Sequence, residues 1–165
     1  MKFTIKLPCK SWVFKYIENN FGNPANFHSN LFLSNLIKNS IEKPRGHRHK
    51  VINSQYTKEI EIEISSEQFY SFGWELSQKS IIEINRIIEL QIKALCLIFV
   101  SISTSFGKSI KDSIFDFQKQ INFTDTDWNY HSIAKYLQRN LPKYDFKKNL
   151  DNFLTQTIND VQNRI

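Results

Sequence analysis

The chain has 165 residues, of which 41% are hydrophobic, and carries a formal net charge of +6. This apolar content excludes wholesale disorder and fits one domain with a packed core. The positive charge favours an anionic partner, although a modest excess also serves solubility. The only cysteines, Cys9 and Cys96, lie far apart. We therefore expect no disulfide and a cytoplasmic location.

Two segments alternate between apolar and polar residues and predict half-buried strands, residues 2–7 and 59–64. The polar face of the first carries Lys2 and Lys6, whereas the polar face of the second carries three glutamates. Opposite charges across an antiparallel ladder stabilise it by roughly 0.2–1 kcal/mol per pair. We therefore expect these two strands to pair with each other.

A long apolar helix is predicted over residues 80–103 and forms the expected centre of the core. Its most apolar run, residues 94–102, is shorter than the ~20 residues of a membrane span, so no membrane association is expected. Helical periodicity also predicts the remaining helices. Ser11 and Ser29 are the expected caps of the first two, and the others are one over 67–78, a hairpin over 109–140 and one over 146–165.

These elements predict an α+β fold that is mainly α. A small antiparallel sheet packs against the long central helix, followed by a C-terminal helical hairpin and a terminal amphipathic helix. The predicted domain organisation is a single globular domain over residues 1–140. Residues 141–165 form an appended helix that packs on this domain or on a partner subunit.

The order of strand, short helix and long helix over residues 57–104 resembles a ribbon-helix-helix module. The resemblance implies a dimer whose paired strands enter the DNA major groove. In that arrangement Glu59, Glu61 and Glu63 would face phosphates, which is electrostatically unfavourable. Pairing with the lysine-bearing N-terminal strand explains these glutamates better.

A second resemblance is spread along the chain. Lys15-Tyr16-Ile17, Phe21-Gly22, the strand at 59–64 and the helix at 128–139 are similar to segments of short proteins from AT-rich bacterial, phage or mobile-element genomes. This resemblance implies a small regulatory or DNA-associated accessory protein.

A basic loop over residues 43–50 is the first candidate for nucleic-acid contact. It holds Lys43, Arg45, Arg48 and Lys50 and no acidic residue. An unpaired positive loop suits phosphate groups, so these four residues are predicted phosphate contacts. The alternative is a solvated charged loop without a ligand.

The hairpin over residues 109–140 resembles a helix-turn-helix. Asn122 stands at its turn where Gly is usual, and Asn tolerates a left-handed backbone. Thr124 and Asp127 suggest a capping box that starts the second helix. That helix would present groove-facing candidates: Asn129, His131, Lys135, Gln138 and Arg139. The alternative is an ordinary helical hairpin with a polar outer face.

No motif for catalysis, phosphate cradling or metal binding occurs in the sequence, so we expect no enzyme, cofactor or metal. The predicted function is a non-enzymatic DNA-binding accessory or regulatory protein. It would act as a homodimer on double-stranded DNA in transcription or replication of a phage or mobile element. The alternative is an interaction or assembly protein, or an inhibitor of a host protein, that uses the helix over 146–165 and carries its basic charge incidentally.

Overall fold

The computed structural model of the protein describes residues 3–44, 55–124 and 126–141. The described elements follow one another as β1 (Phe3–Cys9), α1 (Ser11–Phe21), α2 (Leu31–Ser40), β2 (Ile41–Glu42), β3 (Lys58–Ile64), α3 (Ser66–Phe72), β4 (Glu75–Leu76), α4 (Gln78–Ser105), α5 (Ile110–Ile121) and α6 (Tyr130–Asn140). The predicted fold class is confirmed: the protein is mainly helical, with small antiparallel strand pairs and a long apolar helix.

The pairing expected from charge is present between β1 and β3. The two strands are antiparallel, with Phe3 opposite Ile64 and Leu7 opposite Ile60. Apolar side chains alternate into the core along both strands, since Leu7 and Ile60 are fully buried and the residues beside them are not. On the polar face, Lys6 Nζ lies 2.8 Å from Glu59 Oε1.

The second edge of β3 is also occupied within the same chain. The Ala25 amide donates to the Glu61 carbonyl at 2.7 Å, and the Glu63 amide donates to the Ala25 carbonyl at 2.9 Å. A ribbon shared between two subunits needs a strand edge with unpaired backbone groups. The contact with Ala25 therefore takes the backbone groups of Glu61 and Glu63 that such a shared ribbon would use, and the ribbon-helix-helix resemblance stays a prediction.

The first half of α4 lies against the start of the chain. Asn85, which is 1% exposed, donates from Nδ2 to the Pro8 carbonyl at 3.0 Å. One turn further on, Glu89 Oε1 lies 2.6 Å from Lys10 Nζ. The helix buries every fourth residue of this half, including Ile84 and Ile88, because these positions share one face.

The structure contains a second, two-stranded sheet that the sequence pattern does not predict. β2 pairs with β4 antiparallel, and Ile41 lies opposite Leu76. The helix predicted over 67–78 ends at Phe72, because Gly73 adopts a φ of +115° that stops it. A Cβ at Gly73 would overlap the backbone of Glu42 and Lys43. Only glycine lets these two segments approach so closely.

Helix starts also differ from expectation at two places. Ser29 was the expected cap of the second helix, but α2 is capped by Asn30, whose Oδ1 accepts from the Leu33 amide at 3.0 Å. Ser11, the expected cap of the first helix, is its first helical residue, and Lys10 precedes it. Each boundary shifts by one residue. At α2 the neighbouring Ser29 and Asn30 can both cap a helix, whereas Lys10 makes no side-chain cap hydrogen bond at α1.

The chain divides into two compact units. One comprises the residues through Ile92 together with Ile121–Phe123, and the other comprises Lys93–Gln120 and the residues from Thr124 onwards. The predicted single domain over residues 1–140 stays a prediction. The predicted helix over 146–165 lies outside the described residues.

The second unit is built around aromatic packing. Phe117, on α5, lies 5.8 Å from Phe99 of α4 and 6.5 Å from Trp128, measured between ring centroids. The buried Gln118 donates from Nε2 to the Trp128 carbonyl at 2.9 Å. These contacts hold the segment before α6 against α5, and α6 adds Ile133 to the core.

Helix α4 is apolar over a longer stretch than the run at residues 94–102. An 18-residue window within its 28 residues has a mean hydropathy of 1.8, and 28% of that window is buried. By length and composition alone, α4 is therefore able to span a bilayer, as are the core helices of some soluble proteins. The expectation of a cytoplasmic protein without membrane association stays a prediction.

Candidate nucleic-acid interface

Helix α6 presents a polar face that is turned away from the core of its unit. Ile133 and Leu137 are buried on one side. Because a helix turns by 3.6 residues, positions 131, 135, 138 and 139 lie on the opposite side. All four side chains there are exposed: His131, Lys135, Gln138 and Arg139. The structure therefore brings four of the five predicted groove-facing residues onto one accessible surface, which we call the α6 outer face.

The α6 outer face carries two cations, Lys135 and Arg139. Within the described part of the chain, no acidic group forms an ion pair with Lys135 or Arg139. Elsewhere in this unit Lys108 pairs with Asp116. The charges of Lys135 and Arg139 lie one helical turn apart, a spacing that presents both to the same ligand. Arg139 also lies in the last turn, where a cation stabilises the helix by its dipole.

The fifth candidate, Asn129, has a structural role. Its Oδ1 accepts from the Ser132 amide at 2.8 Å and caps α6. The capping box expected at Thr124 and Asp127 does not start the helix. Asp127 Oδ2 instead accepts from the Thr124 amide at 2.7 Å and closes a turn before Trp128. The helix begins at Tyr130, directly after its Asn129 cap, and the buried Trp128 precedes that cap.

The connection between α5 and α6 is longer than a helix-turn-helix turn. Asn122 has the left-handed backbone expected of it, with a φ of +58°. Helix α5 ends at Ile121 and α6 begins only at Tyr130, whereas a helix-turn-helix joins its helices with a turn of about three to four residues. The arrangement therefore follows the alternative reading, a helical pair with a polar outer face.

The basic loop lies mostly beyond the described residues. Lys43 is described and exposed, and no acidic group among the described residues pairs with it. Arg45, Arg48 and Lys50 lie outside the described residues, so their role as phosphate contacts stays a prediction.

A column of aromatic rings in the first unit was missed by sequence reasoning. Phe69 is stacked on Phe3 with ring centroids 4.0 Å apart and on Trp74 with centroids 4.8 Å apart. The interplanar angles are 14° and 17°. Phe3 and Trp74 make no ring contact with each other, so they cover opposite faces of Phe69. Trp74 is the end of this aromatic column and is 43% exposed. The signal in the sequence was the density of aromatic residues between 69 and 74.

Local structure places the column beside Lys43. A capping box, in which Ser65 Oγ accepts from the Gln68 amide, starts the short helix that carries Phe69. The close approach at Gly73 then lets the Trp74 amide donate to the Glu42 carbonyl at 3.2 Å. Trp74 is thereby held next to the residue that precedes Lys43.

Both cysteine thiols are buried and stay protonated. Burial raises the pKa of the Cys9 thiol and of the Cys96 thiol to about 12, which disfavours the reactive thiolate. Among residues 3–44, 55–124 and 126–141, no group of three His, Cys, Asp or Glu side chains is placed to hold a metal ion.

Comparison with protein-family models, with curated proteins and with solved structures finds no match.

Proposed function

We propose that the protein binds double-stranded DNA, without catalysing a reaction, through the α6 outer face. The observation that carries the proposal is the pair of exposed cations on one helical face, Lys135 and Arg139, to which no acidic group of residues 3–44, 55–124 and 126–141 is paired. Such cations contact phosphates, while the neighbouring Gln138 and His131 offer groups suited to base edges. The net charge of +6 adds an attraction for DNA that acts at longer range. A homodimeric regulatory or accessory role in a phage or mobile element belongs to the same proposal.

The salt dependence of binding tests this proposal. Each phosphate contact contributes about 0.9 to the slope of log affinity against log salt on duplex DNA. The double variant Lys135→Gln/Arg139→Gln removes two cations and should therefore lower the slope by about 2. The measurement is fluorescence anisotropy of a labelled duplex between about 50 and 200 mM salt.

A matched control separates the site from the overall charge. Lys111 and Lys119 are exposed lysines on α5, and the variant Lys111→Gln/Lys119→Gln removes the same net charge. This control should retain the wild-type slope if the contacts are made by α6. Equal slopes for the two double variants, or no duplex binding by the wild type, would refute the proposed site.

Apolar surface on α4 favours a second candidate, an interaction or assembly protein. Ile82 is 43% exposed and Leu90 is 51% exposed on the first half of this helix. Exposed apolar residues on one helix mark a protein interface when they form a continuous patch. Sedimentation of the wild type and of Leu90→Glu at rising concentration tests whether this helix forms a self-interface. If it does, Leu90→Glu should abolish the association, whereas a dimer formed elsewhere in the chain should sediment unchanged.

A further inference from the structure

The aromatic column Phe3–Phe69–Trp74 is arranged differently from a packed core cluster. Core aromatic rings are enclosed, but Trp74 is 43% exposed and the adjacent Tyr70 is 66% exposed. Tyr70 meets Phe69 edge-on with centroids 5.3 Å apart, so it supports the column from the side. Leaving a large indole half in water forfeits the free energy that its burial would supply. The exposed end of such a column suits another flat ring.

We propose that Trp74 is the stacking platform for an unpaired base of a single-stranded nucleic acid, and that Lys43 contacts the adjoining phosphate. Every base has a flat π-face, and proteins that bind single strands combine aromatic platforms with cations along the backbone. Lys43 supplies such a cation next to the residue to which Trp74 is hydrogen-bonded. A base within a duplex is already stacked on its neighbours and cannot lie on Trp74. The site therefore selects single strands.

An acidic group beside Trp74 restricts the path of the strand. Glu75 directly follows Trp74 in the sequence, and its carboxylate repels a phosphate backbone. The backbone therefore passes on the side of Lys43. This inference does not depend on the α6 outer face, which belongs to the other unit of the chain.

The test compares oligonucleotides that differ only in their bases. A labelled single strand of about 12 thymine nucleotides matches the size of known single-strand sites. An abasic strand of the same length keeps the phosphates and removes the rings. The proteins are the wild type, Trp74→Ala, Trp74→Phe and the control Phe106→Ala, which removes an aromatic ring that is 86% exposed elsewhere in the chain.

We expect Trp74→Ala to weaken binding of the thymine strand on the order of ten-fold, because stacking on one residue contributes that much. Trp74→Phe should retain most of the affinity, and Phe106→Ala all of it. The abasic strand should bind weakly and respond to none of the three changes. Unchanged affinity of Trp74→Ala for the thymine strand would overturn the proposal, as would equal affinity for the abasic strand.

Fluorescence provides a measurement that does not rely on the alanine variant folding. The chain has 3 tryptophans, so Trp12→Phe/Trp128→Phe leaves Trp74 as the sole indole. The thymine strand should quench its emission, and the duplex of the same sequence should not. Unquenched emission in the presence of bound single strand overturns the stacking assignment. Loss of duplex binding in the α6 double variant with normal quenching at Trp74 would show that the two sites act separately.

Discussion

Replacing Gly73 by alanine tests the close approach that positions Trp74. Gly73 has φ +115° and ψ −164°, and Gly22 has φ +83° and ψ −173°, so both occupy a backbone region that is essentially restricted to glycine. Alanine in this region costs about 1–3 kcal/mol. The two sites differ in the space available. A Cβ at Gly22 meets the Pro24 carbonyl oxygen at an ordinary 3.6 Å, whereas a Cβ at Gly73 overlaps the backbone of Glu42.

This overlap adds a second cost at Gly73. The backbone of Glu42 must move away, which breaks the hydrogen bond from the Trp74 amide to the Glu42 carbonyl. Forcing an extra group into a packed site costs about 1–3 kcal/mol through the backbone shifts that it requires. We therefore expect Gly73→Ala to lower the free energy of unfolding by about 2 kcal/mol more than Gly22→Ala does.

Urea unfolding followed by circular dichroism measures the difference. With a slope of about 2 kcal/mol per molar urea, the two midpoints should differ by about 1 M. Both glycines belong to the same compact unit, so the comparison concerns one unfolding transition. Equal midpoints for the two alanine variants would show that residue 73 does not approach β2 as closely as described.

Two further predictions concern the thiols and the cap of α6. The raised pKa values of Cys9 and Cys96, about 12 against an ordinary 9.0, predict that neither thiol reacts with a disulfide reagent in the native protein at about pH 8. Because folding raises the pKa of each thiol, the free energy of unfolding keeps its full value below pH 9.0 and falls as the pH rises from 9.0 towards about 12. Urea midpoints measured over this pH range will show the fall. Asn129→Ala should cost about 1 kcal/mol through the lost cap, whereas Asn129→Asp should retain the stability. Rapid thiol labelling, or equal midpoints for the two Asn129 variants, would contradict these predictions.

The sequence predicts the α6 outer face and does not predict the aromatic column. The α6 outer face was recognised because helical periodicity alone separates Ile133 and Leu137 from Lys135 and Arg139. Asn129 was expected on the same face; its side chain caps the helix, and its contact with DNA stays a prediction. The sequence places the start of α6 near Thr124, since residues that can cap a helix recur through this segment and no local pattern selects among them.

The sequence by itself determined the pairing of β1 with β3, because alternation and the opposite charges of Lys6 and Glu59 are carried within each segment. It likewise determined the positions of the described helices to within a few residues, apart from the end of α3. Only the tertiary structure decided the β2–β4 ladder and the aromatic column. Strands of two residues are too short to show a period, and the stacking of Phe69 on Phe3 joins residues that are distant in sequence. The β2–β4 ladder depends on how closely Gly73 approaches Glu42, which no local pattern encodes.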